Sequence, residues 1–176
     1  SRSGDAVRIH AQHAEFERDE LTCILTGAPA EYRDGQATAT QANVLFRPDG
    51  SAVRLDAMRG FAISTSTGGH LAAPTGSLVF DEHNQPQHGR LEGGVRMDSL
   101  APGREIHGTA PTAELEFASN GELRHAHLER GVEFSSVSTT HSAAAGGAAP
   151  VNTSRRWQSP VTDIEFRNAG SSRVEP

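Results

Sequence analysis

Apolar side chains recur two apart along most of the chain. Val44 and Phe46, Leu78 and Phe80, Leu115 and Phe117, and Ile164 and Phe166 are such pairs. Acids flank the last two, Glu114 and Glu116 around Leu115, and Asp163 and Glu165 around Ile164. Period two places one face of a strand in a core and the other in water. After each pair comes a turn segment, "RPDGS", "DEHNQPQ", "ASNGE" or "RNAGS". Asp-Gly and Asn-Gly in that position predict hairpins. A second alternating run follows, as in Leu91, Val95, Met97 and in Leu128, Val132, Phe134. Gly and Pro then interrupt the pattern. No segment sustains apolar residues at i, i+3, i+4 and i+7 with capping signals, so no helix is expected.

The hairpins repeat. Pro74, Leu78, Phe80 and Leu91 fall on Pro111, Leu115, Phe117 and Leu128, all at an offset of 37 residues. Moving back by 34, Phe80 and Gly94 fall on Phe46 and Gly60. Moving forward by 49, Pro111 and Phe117 fall on Pro160 and Phe166. The longer last spacing is taken up by "VSTTHSAAAGGAAPVNTS", residues 137–154, whose small-residue composition predicts a mobile insertion. The last unit stops at "SSRVEP", with its second strand expected to lie beyond the final residue. Gly93 and Gly94, matched by Arg130 and Gly131, mark places where a strand bends or closely approaches a neighbour.

A single hairpin cannot bury its apolar face, but stacked hairpins can. The fold class expected is therefore all-β, with antiparallel sheets facing each other across a long apolar seam. Roughly three or four apolar side chains per unit is a thin supply for closing a seam about 10 Å wide. An incompletely filled seam is a groove suited to an apolar guest. The inward parity selects Phe46, Phe80, Val95, Phe117, Val132 and Phe134 as its lining.

Composition agrees with a thin core: apolar residues make up 35% and aromatic residues 5% of 176 residues, below the usual share. This length suits a single domain. The net charge of −6 argues against nucleic acid as the main partner. All sixteen basic residues are Arg, scattered along the chain. A single cysteine, Cys23, excludes an internal disulfide and a Cys-based zinc site. It lies in "LTCIL" and is expected to be buried and inert. No apolar run reaches membrane-spanning length. The chain opens in mid-pattern at "SRSGDAVRIHA", as a piece of a longer protein would.

The pattern carries no catalytic signature: there is no GxSxG, no phosphate loop and no HExxH. His125 and His127 share a strand face, but metal binding needs three or four converging ligands, and solvent-facing polar residues are the simpler account. The chain is expected to be no enzyme and to carry no metal or cofactor. Trp157, beside Arg155 and Arg156, reads either as a contact to a lipid or its headgroup or as a cap on the end of the seam.

The order of these motifs resembles the OstA-like domain of lipopolysaccharide-transport proteins (LptA, LptC and the amino-terminal part of LptD). The resemblance rests on an Ala-x-x-Ala-x-Tyr/Phe opening, an apolar strand, Gly, and a returning Ala-x-x-Ala run. Ala11, Ala14, Phe16, Leu25, Gly27, Ala39 and Ala42 occupy those places. It implies an elongated β-jellyroll, a folded-over twisted sheet with an open groove, spanning residues 1–176. It implies binding of lipopolysaccharide or a related lipid and its relay across the periplasm toward the outer membrane. It also implies partners of the same β-jellyroll kind joined through edge strands, a second copy included. The location implied is the periplasm, free or tethered to the inner membrane. The competing expectation is a structural β-repeat scaffold with a filled core and no ligand.

Overall fold

The structure is a computed structural model that describes residues 9–32, 37–65, 68–101, 104–140, 151–166 and 173–175. They form β1 (Ile9–His10), β2 (His13–Glu17), β3 (Thr22–Tyr32), β4 (Ala37–Phe46), β5 (Ala52–Arg59), β6 (Phe61–Ser64) and β7 (Gly69–Ala73). These are followed by β8 (Thr75–Phe80), β9 (Pro86–Ala101), β10 (Arg104–Phe117), β11 (Leu123–Thr140), β12 (Val151–Glu165) and β13 (Arg173–Glu175). All belong to one antiparallel sheet, and no helix occurs among the described residues. The main path runs β1-β3-β4-β5-β8-β9-β10-β11-β12-β13.

Three hairpin turns are built alike. Arg47 N donates to Ser51 O (2.7 Å), Asp81 N to Gln85 O (3.0 Å), and Ala118 N to Glu122 O (2.9 Å). The fourth residue of each turn closes back on the first and takes positive φ: Gly50 (85°), Asn84 (60°) and Gly121 (78°). Gly and Asn tolerate this region, which explains their recurrence at that place. Arg47 ties two turns together. Its Nη1 donates to Ala52 O (2.6 Å) and Asp81 O (3.1 Å), and its Nη2 to Phe80 O (3.0 Å).

Gly60, Pro74, Gly93, Gly94 and Pro111 do not end the repeat units. They bend long strands in the middle. β4 pairs with both β5 and β6, and β9 with both β7 and β8, so each of these couples is one strand bent at Gly60 or Pro74. Gly60 N donates to Pro74 O across the bend (2.9 Å). β9 carries two residues, Gly93 and Gly94, where β10 carries one, Pro111. β11 carries Arg130 and Gly131 where β12 carries Pro160. Proline has no N–H to give a ladder, so it fits at a break in pairing, and the partner absorbs its extra residue as a bulge. Gly93, Gly94, Arg130 and Gly131 have φ of 87°, 104°, 71° and 92°.

The two kinds of bend treat side-chain parity differently. Buried positions keep their parity across Gly60 (Leu55, Ala57, then Phe61, Ile63) and across Gly93–Gly94 (Leu91, then Val95, Met97). They keep it again across Arg130–Gly131 (Ala126, Leu128, then Val132, Phe134). They switch across Pro74 (Leu71, Ala73, then Leu78, Phe80) and across Pro111 (Ile106, Ala110, then Ala113, Leu115).

Each bend divides a strand into a turn arm, leading to the three turns above, and a far arm. The inner side chains of both arms form one core, from Leu25 on β3 to Ile164 on β12. The arms meet away from the bend as well. A Cβ built on Gly69, in a far arm, would lie 3.2 Å from the ring of Phe166, which ends a turn arm.

The expected insertion at 137–154 is shorter than its composition suggests. Val137–Thr140 continue β11 and Val151–Ser154 begin β12, paired from Val137↔Ser154 to Thr140↔Val151. Ser, Thr and Val are β-compatible, and a paired neighbour decides their state. The remainder, 141–150, lies outside the described residues, as does "RNAGS". The second strand of the last unit is also begun within the chain: β13 pairs Asp163–Glu165.

Candidate functional site

Directly opposed residues of an antiparallel pair share a face. The inner face of the far arms can therefore be followed in rows across the sheet. One row out from Val95, Ala110 and Val132 beside the bend, the inner face reads Leu71–Met97–Gly108–Phe134–Trp157. Gly108 leaves room there: a Cβ on it would lie 2.6 Å from the Phe134 ring. Trp157 stacks on Phe134 with centroids 5.3 Å apart and planes at 21°. The next row outward is Gly69–Ser99–Ile106–Ser136–Arg155. Beyond it comes Arg104–Ser138–Thr153. The far arms thus change from apolar near the bend to hydroxyl and guanidinium at their rim.

The turn arms do not change in this way. They stay apolar to their ends, where Phe46, Phe80, Phe117 and Phe166 precede or begin the turns. Phe80 is 3% exposed, while Phe46, Phe117 and Phe166 are partly buried and pack on the core. Phe16 on β2 is 55% exposed and lies 6.1 Å, centroid to centroid, from Phe46. The seam therefore has one apolar rim and one polar rim.

All six residues selected by parity face inward. Phe80, Val95, Val132 and Phe134 are buried deep in the core, and Phe46 and Phe117 sit at the apolar rim. The seam is closed over the four deep residues, so they line packed core and not an open channel. The thin apolar supply suffices because Ala and Gly bring the layers close: Ala113, Ala126 and Ala110 are buried among larger neighbours. Phe61, Leu71 and Leu128 are equally central to the core. Leu71 lies beside Pro74, where the period-two reading loses its phase. The inner-face position of Arg104 was hidden for the same reason, since β10 changes parity at Pro111.

The outer face of the turn arms is charged and ordered. His127 Nδ1 lies 2.6 Å from Asp163 Oδ1, and its Nε2 lies 3.1 Å from Glu129 Oε1. His125 Nε2 approaches the same Asp163 oxygen at 3.1 Å. Arg90 pairs with Glu92 (2.7 Å) and Glu114 (3.3 Å). The hydrogen bond to Asp163 is the main cause raising the His127 pKa above its ordinary value, opposed by desolvation. No group of three or more His, Cys, Asp or Glu among the described residues is arranged to hold a metal ion. A surface groove of about 1040 Å³ follows the bend, floored by Gly60, Pro74, Gly94 and Pro111. Cys23 is partly buried and its thiol pKa is raised by desolvation, which suits an inert side chain.

No family model matches the chain, and no curated protein or solved structure matches it.

Proposed function

We propose that this chain is a non-enzymatic lipid carrier. In this reading the bent sheet is a folded-over β-jellyroll, and the acyl chains of lipopolysaccharide or a related lipid enter between its arms. The observation that carries the reading is the seam itself. It runs unbroken from β3 to β12, is closed along the bend, and meets solvent at a rim where Phe46, Phe117 and Phe166 are only partly covered. Each methylene moved from water into such a seam contributes about 0.8 kcal/mol. Entry of an acyl chain requires the arms to part, with Phe117 and its neighbours as the first contacts.

Relay between molecules is part of the same proposal, with the periplasm as its place. Among the described residues, β13 covers only Asp163–Glu165 of β12, and residues 151–161 of that strand have β11 as their one partner. An uncovered strand edge is a template for a further strand, here that of a like domain or a second copy.

A second reading, a scaffold with a filled core, is favoured by the closure of the seam over Phe80, Val95, Val132 and Phe134. Photo-crosslinking residues at Phe117 and Phe80, with controls at the outward Glu116 and Arg96, separate the two. Lipid adducts at the inward sites alone support the carrier. Equal labelling of both sets, or none, leaves the scaffold.

A further inference from the structure

We propose that the polar rim of the seam binds the anionic headgroup of an amphiphile, with Arg104 and Arg155 as the anion-binding residues. The inference rests on the lipid-carrier reading above and adds the chemical class and polarity of the guest. Four observations carry it. First, both arginines are on the inner face. Arg155 opposes the buried Ser136 and alternates with Trp157, which stacks on Phe134. Arg104 continues the inward series of Ile106, Gly108 and Ala110 and opposes Ser138.

Second, both side chains are exposed, and neither forms an ion pair or hydrogen bond among the described residues. Arg54 and Arg90, on the outer face, are held by carboxylates at 2.7 Å. Third, hydroxyls surround the inward pair, with Ser136 and Ser138 on the strand between them. β10 and β12 lie about 10 Å apart, two strand spacings, and Arg155 sits one row, about 7 Å, nearer the bend than Arg104, a diagonal that two long side chains can close on one phosphate-bearing headgroup. Fourth, the facing rim is apolar, ending in Phe residues. An amphiphile fits this asymmetry in one sense only: chain toward Phe134 and Trp157, anion toward the arginines. Guanidinium groups suit phosphate because they present paired N–H donors to its oxygens.

The test uses the full chain and three probes below their aggregation concentrations: tetradecyl phosphate, tetradecyl maltoside and inorganic phosphate. Calorimetry is expected to show tetradecyl phosphate binding most tightly. The Arg104→Gln/Arg155→Gln double variant is expected to lose about tenfold or more of that affinity and to bind the maltoside unchanged. Arg156→Gln, on the outer face of the same strand, serves as the control and is expected to behave as the parent. Circular dichroism on each variant establishes that the fold is retained. Equal affinity for both amphiphiles, or an undiminished double variant, overturns the headgroup site and leaves the seam as a carrier of neutral chains. Inorganic phosphate binding as tightly as tetradecyl phosphate overturns the amphiphile in favour of a free anion. Binding of no probe overturns the carrier reading itself.

Discussion

His127 on β11 and Asp163 on β12 are joined at 2.6 Å, and His127 meets a second carboxylate, Glu129, at its other ring nitrogen. A neutral imidazole has one N–H, so both contacts are hydrogen bonds only in the imidazolium form. The folded-state pKa is accordingly raised. A raised pKa stabilises the fold fully below the unfolded value of about 6.5, and the contribution is lost as pH rises through the folded value. Asp163→Asn is expected to lower the His127 pKa in an NMR titration. The stability gap between parent and variant should be widest below the ordinary histidine value and narrow as pH rises through the folded-state value. A gap that widened with pH would contradict this assignment.

Thr162 is buried at 1% exposure, and its hydroxyl has no hydrogen-bond partner among the described residues. Valine has nearly the same shape without the polar atom. Thr162→Val is expected to stabilise the protein by about 1 kcal/mol, measured as a rise in the urea midpoint at constant slope.

Arg130 occupies the bulge position that Gly93 holds one repeat earlier, with a φ of 71°. A side chain in this region costs energy that glycine avoids. Arg130→Gly is expected to raise stability by about 0.5–1 kcal/mol after allowing for glycine's larger unfolded-state entropy. Gly93→Ala should do the opposite, by about 1–2 kcal/mol, because its new Cβ would also press on Pro74 at 3.3 Å. Thermal melts of the two variants shifting in the same direction would contradict the account.

Arg47 holds the turn at 47–51 against the one at 81–85 through three backbone carbonyls. A lysine carries the charge but not the fork of donors. Arg47→Lys is expected to cost about 1.5–3 kcal/mol, nearly as much as Arg47→Ala. Hydrogen exchange should report it first at Ala52, whose N–H donates to Asn84 Oδ1 at 2.6 Å.

Period two, the turn chemistry and the repeat placed the turn-arm strands and the inward parity of all six chosen residues within reach of sequence alone. Strand length was not within reach. Pro74 and Pro111 look like terminators, because proline removes a ladder hydrogen bond, yet a neighbour with two residues against one lets the strand continue. Once the bend is missed, parity beyond it is assigned from the wrong origin, and Arg104 looks like a solvent-facing charge. The width of the seam was illegible for another reason. Whether a sparse apolar set leaves a groove depends on how closely two layers approach, and Ala and Gly at the contacts allow them to close. The pairing of His127 with Asp163 spans 36 residues and depends on register that no local pattern reveals.

The alternation of bends also governs how such a chain can change length. A glycine bend keeps parity and a proline bend reverses it, and from β5 to β12 the two kinds alternate across the ladder. A single strand added or removed would set two bends of the same kind side by side and leave one bulge with no matching gap. Growth by whole couples of strands avoids this, and the 37-residue spacing of Pro74 and Pro111 matches one couple. The smallest heritable step for this architecture is thus a duplication or loss of two strands together, and the near-copy from residue 73 to 136 is what one such event would leave behind.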